Sequence, residues 1–426
     1  MNNHKKSLWI FNHYAVTPDM PGGTRHYDFS KELIKRGYEV TIFASSFHYT
    51  QHTETKLTLK ENWKTEEIDN IKFLWIRTFP YYKNDWRRVI SMFSYMIRSY
   101  NLGRNVSKLD FNIQKPDAII GSSVHLLAPL AAYYLSKYYN AHFVMEVRDL
   151  WPQTLIDIGQ MSKYNPFIIT LCKLEKFLYK RAERIITLLP YADKYITSCG
   201  IDPDKIIWIP NGVDLERFSV TSRRKKDDSQ FKVMYMGTHG LTDALDVLLN
   251  AAKIIQDNKY TKIQFVLIGD GVQKQNLISY KNKLKLSNIE FRSPVKKTRV
   301  PSVLEEADVM VSLMRDSKLY KYGVSANKEY DYTASGKPII LSGKPANNIV
   351  AEAKCGKTVP PENPEALANV ITELYGMEKE KREEMGKRGR EYVEKNHSIP
   401  VLVDRLEKVI GEYYKEKEVS PERKNT

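Results

Sequence analysis

Lys328 and Asp331 stand three residues apart in the run Ser325-Ala326-Asn327-Lys328-Glu329-Tyr330-Asp331. On a helix, that spacing places a cation and a carboxylate on one face, about one turn apart. The N-terminus of a helix already favours an anion. A lysine in the first turn suits a diphosphate, and a carboxylate one turn on suits the hydroxyls of a ribose. Together they have the chemistry of a sugar-nucleotide site. Ser325 is the expected N-cap, because a serine hydroxyl can satisfy an orphan backbone N–H. Gly336 is the expected stop, and Pro338 keeps the helix from continuing.

Three glycine loops accompany this helix. Gly22 and Gly23 follow the first strand, Gly237 and Gly240 flank His239 after a later strand, and Gly269 and Gly271 enclose Asp270 after another. Glycine lets a backbone approach a ligand closely. One such loop reads equally well as an ordinary turn. Several at the carboxyl ends of strands point to a ligand, since that is where open α/β sheets bind. The chain has no GxGxxG and no GxxxxGK[ST], which argues against a dehydrogenase and an NTPase. Two further segments end strands: Glu146-Val147-Arg148-Asp149-Leu150-Trp151-Pro152, and Ser122-Ser123-Val124-His125. Arg148–Asp149 reads as a site or as a structural pair. His125 reads as a substrate contact or as a satisfied core histidine.

The elements that must position these residues form two series. Strands are expected at 7–12, 40–43, 71–76, 117–120, 142–147 and 184–188, with a helix near 24–36. After turn chemistry at Ile209-Pro210-Asn211-Gly212 and a polar linker at 221–230, a second series begins. It has strands at 231–236, 263–268, 289–292, 308–313 and 338–341, and helices at 243–256, 299–306 and 326–334. The chain is helical and charged from about 363, and 416–426 is expected to be disordered. Alternation of apolar strands with helices implies parallel sheets covered on both faces. At 426 residues the chain is too long for one core, so two α/β domains with a cleft between them are expected.

Sixty-six Lys and Arg against 51 Asp and Glu give a formal charge of +15. That suits phosphorylated ligands, an anionic membrane or nucleic acid, or simply a basic soluble protein. Three scattered cysteines, Cys172, Cys199 and Cys355, fit a reducing cytoplasm and argue against a disulfide framework or a zinc site. No signal-peptide layout is evident, and the charge-free run 118–136 reads as strand and helix, so any membrane contact is expected to be peripheral. Segment 79–104 sets Trp86, Ile90, Phe93, Ile97 and Tyr100 at helical spacing, with Arg87, Arg88 and Arg98 on other faces. It suits either an interfacial helix or, slightly better, core packing.

Taken together these segments resemble a family 4 glycosyltransferase of GT-B fold, over nearly the whole chain. The resemblance is carried by the Gly22-Gly23 loop with Arg36-Gly37-Tyr38-Glu39-Val40, by Ile209-Pro210-Asn211-Gly212-Val213-Asp214, by Ile268-Gly269-Asp270-Gly271, and by the block ending in Gly336-Lys337-Pro338. Arg148-Asp149-Leu150-Trp151-Pro152, Tyr322-Gly323-Val324-Ser325 and Asn327-Lys328 resemble a bacterial surface-polysaccharide subgroup that includes N-acetyl-L-fucosamine transferases. The resemblance implies two Rossmann-like domains with parallel sheets facing across a cleft. An acceptor domain would span 1–205, with a returning helix at about 400–420, and a nucleotide-sugar domain 206–399. It implies a retaining transfer from a nucleoside-diphosphate sugar, UDP-linked, to a hydroxyl of a lipid-linked glycan in O-antigen or capsule synthesis, without metal or other cofactor.

The family's pair of acids falls here on Gly323 and Asp331, and no lysine follows the first glycine loop of the second series. Lys328, with Lys321 or Lys318, is therefore the substitute cation. Expected donor contacts are Gly22, Gly23, Gly237, His239, Gly240, Gly269, Gly271, Val295, Lys321, Asn327, Lys328 and Asp331. Expected catalytic groups are Lys328, Asp149 and His125. Expected partners are the nucleotide sugar, a glycan or lipid-diphosphate acceptor, and the anionic inner membrane surface, with no nucleic acid. The expected location is cytoplasmic, at the inner membrane face. A GT-B sugar-nucleotide epimerase and a non-catalytic nucleotide-sugar binder are the alternatives.

Overall fold

The computed structural model describes residues 5–83, 85–109, 111–157, 159, 161–219 and 229–419. Most of the expected linker at 221–230 lies outside them, as does the tail from 420. The helix Ile399–Val419 runs through the start of the segment expected to be disordered. The chain divides into two units. Among the described residues, one holds the segment up to Thr17, Gly23–Pro210 and the segment from Pro400; the other holds Pro18–Gly22 and Asn211–Ile399.

Unit one contains β1 (Ser7–Phe11), β2 (Glu39–Ser45), β3 (Phe47–His48), β4 (Thr53–Glu54), β5 (Trp63–Ile68), β6 (Ile71–Ile76), β7 (Ala118–Ser123), β8 (His142–Val147), β9 (Arg184–Thr187) and β10 (Ile206–Trp208). Eight of these form one sheet in the order β10-β9-β8-β7-β1-β2-β6-β5. All neighbours are parallel except β5, which is antiparallel to β6. β3 and β4 form a separate two-residue hairpin. The central strands are apolar and fully buried, as a sheet covered on both faces requires. β5 reads Trp-Lys-Thr-Glu-Glu-Ile and is largely exposed, so it carries no core signal. Its hairpin turn has Asp69 and Asn70 both at positive φ, 51° and 63°, the primed turn that matches strand twist.

Unit two contains β11 (Phe231–Met236), β12 (Ile263–Ile268), β13 (Ile289–Arg292), β14 (Val309–Leu313), β15 (Ile339–Ser342) and β16 (Gly356–Val359). They form one all-parallel sheet in the order β13-β12-β11-β14-β15-β16. Successive residues pack on opposite faces. Val233, Tyr235, Phe265 and Leu267 join one core, while Met234, Met236, Val266 and Ile268 join the other. In both sheets the winding direction reverses, between β1 and β7 in unit one and between β11 and β14 in unit two. The carboxyl ends of those strand pairs are the positions at which such sheets bind ligands.

Candidate functional site

In unit two the loop after β11 and the helix Asn327–Ala334 meet at the reversal point. Lys328 Nζ lies 2.7 Å from Asp243 Oδ1 and 3.2 Å from Tyr235 Oη, and sits 4.7 Å from the centre of the Tyr235 ring. Tyr235 Oη is also 2.6 Å from the Thr238 carbonyl and 2.9 Å from Asp243 Oδ1. The Lys328 and Asp243 side chains are each only 16% exposed. Burial alone would lower the Lys328 pKa, but Asp243, with Tyr332 and Glu329, outweighs it, and the net shift is upward. Lys328 is therefore a fixed cation, with two of its three N–H directions taken.

Around this lysine the backbone is close-packed. A Cβ at Gly237 would lie 3.2 Å from Lys328 Cδ. Gly269 and Gly271 hold φ of +145° and +155°, which L side chains avoid. A Cβ at Gly269 would stand 1.8 Å from the Gly237 carbonyl oxygen, and one at Gly271 2.5 Å from that of His239. The two glycine loops are thus pressed together, joined by the His239 N–H to the Asp270 carbonyl at 2.8 Å. Gly240 donates its N–H to Asp243 Oδ2 at 3.2 Å, which fixes the carboxylate that fixes Lys328. Lys274 Nζ donates to the Gly269 carbonyl at 2.7 Å and lies 3.3 Å from that of Arg292. His239 is fully buried, and neither ring nitrogen has a hydrogen-bond partner. Burial, reinforced by Lys274, lowers its pKa to about 4, so the ring is neutral at physiological pH.

The remaining expected donor contacts divide. Asp331 is buried, and its Oδ2 accepts from Lys297 Nζ at 2.5 Å, while Oδ1 is without a partner. Lys328 and Asp331 therefore engage different partners rather than each other. Asn327 opens the helix, and Val295 packs at the edge of the core. Lys321 is exposed, 4.6 Å over the Tyr322 ring, and is not among the Lys328 contacts. Gly22, with φ +138°, and Gly23 lie in the loop before the helix Arg25–Lys35. Ser325 is not the N-cap; Ala326 is, and it makes no side-chain cap bond. The Ser325 hydroxyl instead accepts the Asn211 backbone N–H at 2.8 Å, while its carbonyl accepts Asn211 Nδ2 at 2.6 Å. Gly336 has the expected left-handed backbone, φ +68°.

Unit one presents a second cluster at its own reversal point. His13 Nδ1 and His125 Nε2 are 2.8 Å apart, and His13 stacks between Tyr14 and Tyr95. His125 is buried, with Nδ1 unpartnered. Burial and the nearby Arg88 guanidinium lower its pKa to about 3. Asp149 is exposed, in contrast to Glu146 of the same segment. Glu146 is a buried hub. It accepts from Arg25 Nε at 2.8 Å, Ser122 Oγ at 2.8 Å and His26 Nε2 at 2.9 Å. Burial would raise its pKa, but Arg25 and His26 hold it well below the carboxylate range. His26 Nδ1 in turn faces Asn12 Nδ2 at 2.8 Å, which fixes the tautomer with the proton on Nε2. Arg25 also binds the carbonyls of Ile209, at 2.9 Å, and Pro210.

Sequence reasoning missed Asp243, Tyr235, Lys274, Lys297, Arg25 and the hub role of Glu146. Asp243, three residues beyond Gly240, was the one with a signal: a carboxylate in a loop already singled out. No group of three or more His, Cys, Asp or Glu among the described residues has metal-holding geometry.

Two doubly wound units, each with polar side chains gathered at its reversal point, define a GT-B-type protein. Residues 22–217 match the model for Glycosyltransferase Family 4, and residues 219–392 that for Glycosyl transferases group 1. The chain belongs to the family 4 glycosyltransferases. It is 23% identical to the probable glycosyltransferase WbjE of Pseudomonas aeruginosa over 63% of this chain and 68% of that protein. Among solved structures it is similar to sucrose-phosphate synthase from Thermosynechococcus elongatus, with a TM-score of 0.72 and 15% identity over 98% of this chain and 100% of that one. It is also similar to Anabaena HepE in complex with UDP-glucose, with a TM-score of 0.65 and 13% identity over 96% and 100%. At those identities the structures speak for the fold alone.

Proposed function

We propose that the chain is a retaining glycosyltransferase. It moves a sugar from a nucleoside-diphosphate sugar, UDP-linked, to a hydroxyl of a lipid-linked glycan in surface-polysaccharide synthesis. Unit two takes the donor and unit one the acceptor. The observation that carries this reading is Lys328: a buried, permanently charged lysine held by Asp243 and Tyr235 at the start of a helix, beside two interlocked glycine loops. A helix N-terminus with a fixed cation stabilises the charge that develops on a departing diphosphate. Because Lys328 is already oriented, little reorganisation is needed as the C1–O bond breaks. The acceptor oxygen bonds C1 on the same face, and the leaving diphosphate oxygen takes the acceptor proton. No metal or other cofactor enters this scheme.

Asp331 keeps one unpartnered oxygen, which suits a ribose hydroxyl, while Lys297 holds the other. Asp149, exposed at the end of β8, is the acceptor-side carboxylate. His125, buried and neutral behind His13, acts as a positioning group rather than a proton acceptor. UDP, the nucleotide moiety of the ligand with which HepE was solved, is the one this reading adopts. The Arg148–Pro152 and Tyr322–Lys328 motifs support the polysaccharide setting. The proposed location is the inner membrane face, by peripheral contact; no helix of the described residues is long and apolar enough to cross a membrane.

The test is incubation with a panel of nucleoside-diphosphate sugars and a lipid-linked glycan extract. Product mass and the anomeric configuration by NMR are then read. Glycan lengthened by one sugar with retained configuration is expected. Inverted product, or an altered nucleotide sugar with no glycan product, overturns the reading.

A further inference from the structure

The helix Trp86–Arg104 is anchored through Tyr95 and Met92 but leaves its apolar stripe facing outward. Its buried face is Ser91, Met92, Tyr95, Ser99 and Gly103, mostly small residues. The large apolar residues, spaced at i, i+4, i+7 and i+11, face outward. Trp86 is 60% exposed, Phe93 47% and Ile97 52%, and Ile90 lies on the same stripe. Core packing, the slightly favoured reading of this segment, does not hold. The neighbouring helix Leu127–Tyr139 continues the patch with Tyr134 and Tyr138, each about half exposed. The Tyr100 and Tyr134 rings are 6.4 Å apart, and the Arg104 guanidinium lies 4.7 Å from the Tyr138 ring.

The charge carried by these two helices is of one sign. The helix carries Arg87, Arg88, Arg98 and Arg104 and no acid, and Leu127–Tyr139 carries Lys137 and no acid. The acid at the end of the helix is its N-cap, Asp85, which accepts the Arg87 backbone N–H and pairs with the Arg87 side chain. Adjoining exposed apolar side chains of this kind mark an interaction site when they form a contiguous patch. Aromatic and aliphatic side chains on two helices that carry cations and no acid complement one surface in particular, an anionic lipid interface. Arg88, in the first turn, points the other way. Its Nε is 3.5 Å from Tyr14 Oη, and it lies close enough to His125 to shift its titration.

We infer that the outward face of Trp86–Arg104, continued by Tyr134 and Tyr138, docks on an anionic phospholipid bilayer, while the same helix lines the acceptor side of unit one through Arg88. This deepens the proposed lipid-linked acceptor and rests on that reading: docking presents the His13, His125 and Arg88 cluster to acceptors anchored in the membrane.

The experiment is co-sedimentation of the full chain with vesicles of phosphatidylcholine alone and of equimolar phosphatidylcholine and phosphatidylglycerol. The wild type is expected on the anionic vesicles, with weaker binding at high salt. Trp86→Ser with Phe93→Ser is expected to weaken binding at least about tenfold, since each side chain removes a large apolar area from the interface. Arg98→Glu with Arg104→Glu should do the same through charge. Equal binding to both vesicles, or full binding by the Trp86 and Phe93 variant, overturns the inference. So does a dimer in light scattering that this variant dissolves, because the patch would then cover a second copy. Transfer to a soluble acceptor analogue separates the two proposals. If the variant loses membrane binding and keeps that transfer, docking stands apart from catalysis. If the wild type transfers sugar but ignores both vesicles, docking alone fails.

Discussion

Lys328 owes its properties to Asp243. A buried lysine without a counter-ion tends to lose its proton, whereas this one is held charged. Truncation therefore has two effects, since it also strands a mostly buried carboxylate. Lys328→Gln should cost about 3 kcal/mol of stability, the usual penalty for removing one member of a buried pair. Lys328→Gln with Asp243→Asn should recover most of it, read as the urea midpoint. A double variant no more stable than the single would show that Asp243 is not the partner that matters. Glu175 offers an independent residue-scale test. Tyr179 and Tyr195 donate to its two oxygens at 2.9 Å each, and burial pushes its pKa up to about 7. Its folded pKa exceeds its ordinary 4.5, so its stabilising proton is present at low pH and lost as pH rises through about 7. Glu175→Gln should then stabilise the protein at pH 8, by on the order of 3 kcal/mol, and change little at pH 5. Equal effects of that substitution at both pH values would contradict this.

At the scale of elements, the two unit-two glycine loops act as one piece. Gly269→Ala forces a Cβ into the Gly237 carbonyl at a backbone angle alanine avoids. It should lower the melting temperature by several degrees and weaken nucleotide binding, as strained loop substitutions do. Gly336→Ala has open space around it, so only the left-handed φ opposes it. It should cost about 1 kcal/mol and leave nucleotide binding unchanged. If both variants behaved alike, the interlocked loops would have no special role. These elements also mark what the sequence could disclose. Buried parallel strands are apolar on both faces, so β1, β6, β8, β11 and β12 were legible nearly to the residue. β5 and β16 escaped notice, β5 being charged and mostly exposed, β16 short and only partly buried. The helix Asn327–Ala334 was found with its stop, yet its cap was misread, because Ser325 is recruited by Asn211, which lies more than a hundred residues away. Likewise Lys328 was singled out by its spacing, while its pairing with Asp243, a carboxylate just beyond a loop that already stood out, shows only once the sheet brings the loop after β11 beside the helix. The direction of Trp86–Arg104 was also undecidable from periodicity, which gives a stripe but not the side it faces.

At the scale of the whole molecule, four buried histidines set the response to acid. Burial lowers the pKa of His13, His26, His125 and His239, with neighbouring cations adding to the effect. Below the ordinary 6.5 the unfolded chain binds protons that the folded chain refuses. Their contribution to stability is therefore complete above about 6.5 and falls as pH drops toward the folded values, and four such groups outweigh the single opposing change of Glu175. The melting temperature should decline between pH 7 and pH 5, and an unchanged value would contradict burial of neutral rings. The excess of basic residues, +15 over the chain, suits a protein whose proposed donor, acceptor and docking surface are all anionic.

The most direct measurement is calorimetric titration of UDP into the wild type and into the Lys328→Gln, Asp243→Asn double variant, once equal urea midpoints have shown that both are folded. The wild type is expected to bind, and the double variant to bind at least about tenfold more weakly, the loss expected of a charge-assisted phosphate contact. Equal affinity in the two would contradict the assigned role, because Lys328 would then not hold the diphosphate.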